Sequence, residues 1–318
     1  MAPPFSQLLS STYDDVVNER NKAADQWSDS SFLKTLEKLG GVKKVPGGAT
    51  LQLTLDYRAN AGVDFMATDV TPTSTSKTDV LTQAQYNYVP LVSPINWTLF
   101  DEAVNSDTNQ KVDLISALVD NGLTSHDQAV EVGAFAPLGG TDGFNSLLDL
   151  YTHDGTGTVG TIPAGTELWW KNKFIDYGTQ TGPTLLASYT ALYNACKKGS
   201  LGRAPNVVVG SAREQAIFEA ALTQNQRFVD VGNKISASAE TLAFKQIPFI
   251  FTGSYSGRDI FMFNTNDTQL FVVSSAWRKR REATEFTNAA MMNMKIFSVL
   301  QLATRNRSRG GVLFTAAP

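Results

Sequence analysis

Cysteine is almost absent. The 318-residue chain holds one, Cys196, so no intrachain disulfide can form. A small buried hydrophobe in a reducing or redox-indifferent setting is the expected state of that thiol. Histidine is scarce as well: there are two, His126 and His153, far apart in the chain. No H-E-x-x-H, C-x-x-C or paired ligand spacing occurs, so neither a metal nor a cofactor is expected. No apolar run approaches the ~18 residues of a membrane span. Met1 to Leu9 lacks the basic and apolar regions of a secretory signal. The expectation is a soluble protein made in a cytoplasm, with no membrane partner. Charge is thin: charged residues make up 18% of the chain, against roughly 25% in an ordinary soluble domain. A net charge of −3 argues against a dedicated nucleic-acid binder, which carries a strong basic excess. Charge is depleted where surface becomes the core of an interface. The composition therefore points to large subunit contacts.

What is present begins with an arm, residues 1–45. Phe32, Leu33, Leu36 and Leu39 form a helical stripe of about two turns, closed by Gly40-Gly41. A helix that short is marginal alone and needs a surface, on its own subunit or the next. Residues 46 to about 99 read as a β excursion. Leu51, Leu53, Leu55 and Tyr57 keep the period of a half-buried strand, as do Val89, Leu91, Ile95, Trp97 and Leu99, with Tyr86 and Tyr88 on the opposite face. The Thr/Ser-rich stretch Ala67 to Asp79 separates the two as a polar tip. A two-stranded ribbon is marginal by itself, so its aromatic residues Tyr57, Phe65, Tyr86 and Tyr88 are expected to gain cover on assembly.

The strongest helix signal covers 107–135, with Asp107 as cap and Gln110 three residues on. Gly122 in its middle costs roughly 1 kcal/mol against alanine, unless another backbone approaches closely there. Residues 141–182 are Gly/Thr-rich loop and short strand. Residues 184–281 read as α/β: helix Leu185–Cys196, strand Asn206–Val209, helix Ala212–Leu222 capped by Ser211, and strands Ile247–Thr252, Ile260–Asn264 and Leu270–Val273. Phe286 to Phe314 reads as two long strands joined by an Arg/Gly turn.

Catalytic patterns are weak. "GSAREQ" (210–215) lacks the second glycine of a nucleophile elbow, and a helix cap is the better reading of Ser211. "GTGTVG" (155–160) lacks the Lys-Ser/Thr of a phosphate loop. His153 with Asp154 has no third oriented group in the sequence. The conspicuous feature is basic. Arg278, Lys279, Arg280 and Arg281 form a run, and Arg305, Arg307 and Arg309 alternate in "LATRNRSRGGVLF". These seven cations suit either non-specific contact with packaged nucleic acid or ion pairs to neighbouring subunits, for example with Asp14, Asp15, Glu19 or the Asp101-Glu102 pair. The acidic total favours the second.

The order of arm, β excursion, long helix, α/β unit and returning strands resembles the major capsid proteins of tailed bacteriophages, the Hong Kong 97-like family. "NVVVGSAREQAIF", "LATRNRSRGGVLF" and "GTELWWKNKFIDY" are similar to segments of such proteins. The resemblance implies an α+β fold with an N-arm (1–45), an extended β-hairpin E-loop (46–95), a P-domain with spine helix (96–182), an α/β A-domain (183–281) and closing strands returning to the P-domain region (282–318). It implies a non-enzymatic shell subunit that forms hexamers and pentamers around double-stranded DNA. Assembly would take place in a host cytoplasm, with scaffolding, portal and decoration proteins as partners. Lys77 falls on the implied E-loop tip, without a motif that assigns a covalent partner. An encapsulin-like compartment, or a soluble hydrolase using Ser211 or His153, are the alternative readings.

Overall fold

The computed structural model describes residues 30–60, 77–104, 114–137, 143–179, 182–197, 204–221, 243–245, 247–286 and 289–315. In chain order these give α1 (Ser31–Lys38), β1 (Val42–Val45), β2 (Thr50–Asp56), β3 (Leu81–Asn87), β4 (Val89–Thr98), α2 (Leu99–Val104) and α3 (Leu114–Phe135). Next come α4 (Leu147–Leu150), β5 (Thr158–Val159), β6 (Ile162–Pro163), β7 (Lys173–Asp176), α5 (Gly182–Cys196), β8 (Val207–Ser211), α6 (Ala212–Ala221) and β9 (Ala243–Phe244). The chain closes with β10 (Ile247–Thr252), β11 (Ile260–Phe263), β12 (Thr268–Val273), β13 (Lys279–Arg280), β14 (Thr284–Glu285), β15 (Met291–Thr304) and β16 (Gly311–Phe314).

Two sheets organise these elements. The first runs β1-β12-β15-β13, with β4 and β14 also on β15; the second runs β7-β16-β11-β8-β10-β9. Strand β15, 14 residues long, is the axis of the first: β4 pairs with it antiparallel over ten residues, from Met291↔Thr98 to Leu300↔Val89. The second sheet carries α5 on its apolar side, where Leu185, Tyr189, Leu192 and Cys196 pack with Phe218 and Phe249 in one buried cluster. Burial pushes the Cys196 thiol up to about 12. It is the inert small hydrophobe expected of it.

Several pairings differ from the sequence reading. The two strands read as partners in the β excursion are not partners. β2 pairs with β3, from Thr50↔Asn87 to Asp56↔Leu81, while β4 joins the first sheet. Alternation reports that one face is buried, not which strand lies alongside. Leu270–Val273 sits in the first sheet rather than with the α/β strands, and β7 and β16 join the second. The closing strands do not form a hairpin either. β15 and β16 lie in different sheets, and the arginine turn between them is the crossover.

The long helix is held by polar groups as well as apolar ones. Its described length is 22 residues, about 33 Å; the proposed cap at Asp107 and Gln110 lies outside the described residues. At Gly122 the close neighbour is a side chain, not a backbone: a Cβ there would stand 2.6 Å from Ile95 Cδ1. The Glu131 carboxylate, fully buried, accepts from the backbone N–H groups of Phe32 and Leu33 at 3.3 and 3.2 Å and from the Thr252 hydroxyl at 2.6 Å. A negative charge at the start of α1 satisfies two of its orphan donors and its dipole. So α1 lies on its own subunit, with the Phe32 ring edge-on to Phe135 at 5.1 Å.

His126 is also fully buried, between Ser93 Oγ of β4 at 2.9 Å and Ser298 Oγ of β15 at 2.7 Å. Burial holds its pKa below the usual imidazole value; the Asp127 carboxylate opposes this, and the Arg278 guanidinium adds to it. With the folded pKa lowered, the unfolded chain binds more protons below its own value of about 6.5. The stability from neutral His126 is complete above that pH and is lost as pH falls through it toward the folded value. Thermal denaturation of the unassembled subunit should show its melting temperature dropping between about pH 7 and pH 5. In His126→Gln the pH 7 value should be lower and the slope flatter; an unchanged slope would refute the assignment.

Candidate functional site

The root of the β2–β3 ribbon is covered within the subunit. Leu51, Leu53 and Leu55 of β2 and Ala84 and Tyr86 of β3 are all buried. The Tyr86 hydroxyl donates to Thr304 O at 3.0 Å, and burial raises its pKa. Tyr86 therefore gains its cover within the subunit, not on assembly. Tyr57 is half-buried with its ring 5.3 Å from Trp169. Tyr88 is half-buried beside the main core, and Lys77 is exposed. Phe65 lies outside the described residues. Gly160 seats the root: Gln85 N–H donates to its carbonyl at 2.9 Å. Its φ is +60°, and a Cβ would fall 2.8 Å from Tyr86 Cζ and 2.9 Å from Ala84 Cβ. Gly160→Val is expected to cost about 3 kcal/mol, from backbone strain and overpacking together. Urea denaturation checks this, and a loss under about 1 kcal/mol would be too small for such a seat.

The seven cations separate into two groups. Arg307 is 0% exposed. Its Nε donates to Leu150 O at 2.6 Å, and one terminal nitrogen donates to Thr156 O at 2.7 Å and Thr152 Oγ1 at 3.1 Å. Burial lowers its pKa. Arg309 pairs with Asp267 at 3.4 Å. Arg278 bonds Asp127 at 2.8 Å and Glu37 at 3.1 Å, tying α3 to α1, with its guanidinium 4.7 Å from the Trp277 ring centroid. These three are internal clamps, which corrects the expectation that they face a neighbour or a genome. The reason is nonlocal: their acceptors lie 42 to 157 residues away in sequence for the Asp267, Asp127, Thr152, Thr156 and Leu150 contacts. Asp267 and Glu37 carry no local signal that links them to the turn or the run. Lys279, Arg280, Arg281 and Arg305 remain exposed.

Among the described residues, neither hydrolase candidate assembles a site. Ser211 is buried and accepts from Glu214 N at 3.5 Å, as a cap does. His153 Nε2 lies 2.9 Å from Asp259 Oδ1, and the other oxygen of Asp259 accepts from the Tyr255 hydroxyl at 2.8 Å. The imidazole stacks on Phe314 at 4.1 Å. Among the described residues no nucleophile is bonded to it. Nor does any group of three or more His, Cys, Asp or Glu side chains there suit a metal. No described helix is long and apolar enough to cross a membrane.

No protein-family model matches the sequence, and no curated protein is similar to it in sequence. Solved structures are similar throughout. The chain of a cyanophage A-1(L) capsid superimposes with a TM-score of 0.70 at 15% identity, over 100% of this chain and 99% of that one. A capsid chain of a native GTA particle gives 0.64 at 12% identity over 93% of each. The fold is the Hong Kong 97-like capsid fold. The same fold also matches the SrpI encapsulin of Synechococcus elongatus PCC 7942, with a TM-score of 0.58 at 11% identity over 96% of each chain. β15 of the first sheet is followed by the Arg307–Arg309 turn and then by β16 of the second sheet, so this turn joins the two.

Proposed function

We propose that this protein is the major capsid protein of a tailed phage, a non-enzymatic subunit that closes with copies of itself into hexamers and pentamers around double-stranded DNA. The observation that carries the reading is the end-to-end match to a phage capsid chain, with almost nothing left over on either side. In this reading residues 1–45 are the N-arm, 46–95 the E-loop, 96–182 the P-domain, 183–281 the A-domain and 282–318 the closing strands. The β2–β3 ribbon, rooted on its own subunit, carries Lys77 outward over a neighbour. Lys279, Arg280, Arg281 and Arg305 are the cations left for neighbouring carboxylates or packaged DNA. Scaffolding, portal and decoration proteins are the partners such a shell employs, and the host cytoplasm is where it is built. The low charge fraction supports obligate contacts, which run above roughly 2,000 Å² in such assemblies.

Purified protein examined by negative-stain electron microscopy should show closed shells or rings. Monodisperse monomers under all conditions of salt and concentration would overturn the reading. The encapsulin match supports a second one, a compartment for cargo protein. The lumen of particles from the native source distinguishes them: nuclease-protected DNA supports the capsid, and a co-purifying enzyme supports the compartment.

A further inference from the structure

A cavity of about 290 Å³ opens at the root of the β2–β3 ribbon, at the small end of the range for ligand pockets. Three segments far apart in sequence bring four carboxamides to its wall: Gln85 and Asn87 of β3, Asn145 ahead of α4, and Gln301 of β15. Each carboxamide carries both donor and acceptor. Gln301 is 4% exposed, and its Oε1 accepts from Asn145 N–H at 3.0 Å. That bond fixes the amide's orientation, because only the oxygen can accept. Its Nε2 is left without a partner among the described residues. A buried side chain thus presents an unused donor at the cavity wall, which is costly unless something there accepts it.

The cavity also meets an open strand edge. In the β2–β3 pair, Tyr57 N–H donates to Val80 O at 3.1 Å, in register with the rows that follow. By the antiparallel alternation, Leu53↔Ala84 and Leu51↔Tyr86 are then hydrogen-bonded rows, while Gln85 and Asn87 turn their main-chain groups to the other edge. Gln85 N–H does so, donating to Gly160 O at 2.9 Å. The Gln85 carbonyl and both main-chain groups of Asn87 stay unpaired on that edge among the described residues.

We propose that this cavity binds the main chain of an extended, uncharged peptide segment of a partner protein, taken up as a short added strand on β3. Each peptide unit offers one N–H and one C=O, so it suits the carboxamides and the open edge together. Other ligands fit less well. Among the described residues Asp149 is the one charged group of the lining, its carboxylate held by Ser146 N–H at 2.9 Å and the Ser146 hydroxyl at 2.7 Å. A phosphate would meet that carboxylate and no cation. A sugar ring would find no open aromatic face, since Tyr86, the one aromatic residue of the described lining, is buried.

The test titrates the dissociated, isotope-labelled full chain with acetyl-trialanine amide, and separately with maltose, while backbone amide resonances are followed. The peptide should shift the amides of Asn87, Gly160 and Gln301 with half-saturation on the order of 1 mM. Maltose should leave them in place. Gln301→Glu keeps the acceptor for Asn145 N–H and removes the donor. Asn87→Pro removes the outer N–H without touching the β2 ladder. Each should weaken peptide binding about tenfold or more, with the melting temperature unchanged; where one variant fails to fold, the other decides. No saturable shift at these amides, equal binding by all three chains, or saturation by maltose in place of the peptide would overturn the inference. So would the same shifts on raising subunit concentration without probe, which would make a second copy the occupant. Failure here leaves the shell reading standing.

Discussion

Arg307→Met is expected to destabilise the subunit by about 3–5 kcal/mol, the range for removing one side of a buried charge-assisted network. The guanidinium is fully buried, and no carboxylate among the described residues bonds it. It is held by acceptors that cannot follow it out: Leu150 O, Thr156 O and the Thr152 hydroxyl. Leu150 ends α4, a short helix opened by a Ser146–Asp149 capping box. Its orphan carbonyl is the group a cation at a helix C-terminus satisfies. Methionine fills similar space but leaves the acceptors unpaired in an apolar interior. Lysine restores the charge at one point only, without the fork that reaches both sides of the loop, so Arg307→Lys should recover less than half of the loss. Arg305→Ala, on an exposed neighbour, should stay within about 0.5 kcal/mol of wild type. Urea denaturation of dissociated subunits measures all three. Equal stability of the Arg307 and Arg305 variants would mean the turn is held by something else.

Glu131→Ala should cost a similar amount, about 3–5 kcal/mol. It strands two backbone N–H groups of α1 and the Thr252 hydroxyl, all facing the same buried carboxylate. Its signature differs from that of Arg307. α1 has only eight residues and cannot persist without its dock. Hydrogen exchange in residues 31–38 should therefore accelerate before the β15 amides do. Glu131→Gln keeps acceptor geometry at one oxygen and should retain part of the protection. Uniform acceleration across both elements, with no preference for α1, would contradict the docking role. Because α1 leads out of the N-terminal arm, loss of its seat should also impair particle assembly in the proposed capsid.

Particular residues show which inferences a linear reading supports. The alternation at Leu51, Leu53 and Leu55 named a buried strand face correctly, and three members of the stripe, Phe32, Leu33 and Leu36, are buried on a docked helix, while the fourth, Leu39, caps its end and is 36% exposed. Ser211 was legible as a cap from the polar residue ahead of a helical run. The arginines were not legible. Arg305, Arg307 and Arg309 alternate like one surface strip, yet one is exposed, one is buried on carbonyls and one is paired.

Composition and periodicity by themselves indicated a chain of mixed helices and strands without a strong catalytic pattern, and the order of its segments pointed to the capsid fold. These are local or summed properties, carried by each residue's own chemistry. Tertiary structure alone decided that β4 lies on β15 rather than on β2, that Tyr86 is covered at home, and which cations are left outside. Pairing and burial depend on what arrives from distant parts of the chain, and a charge is a clamp or a contact only once its nearest acceptor is in place.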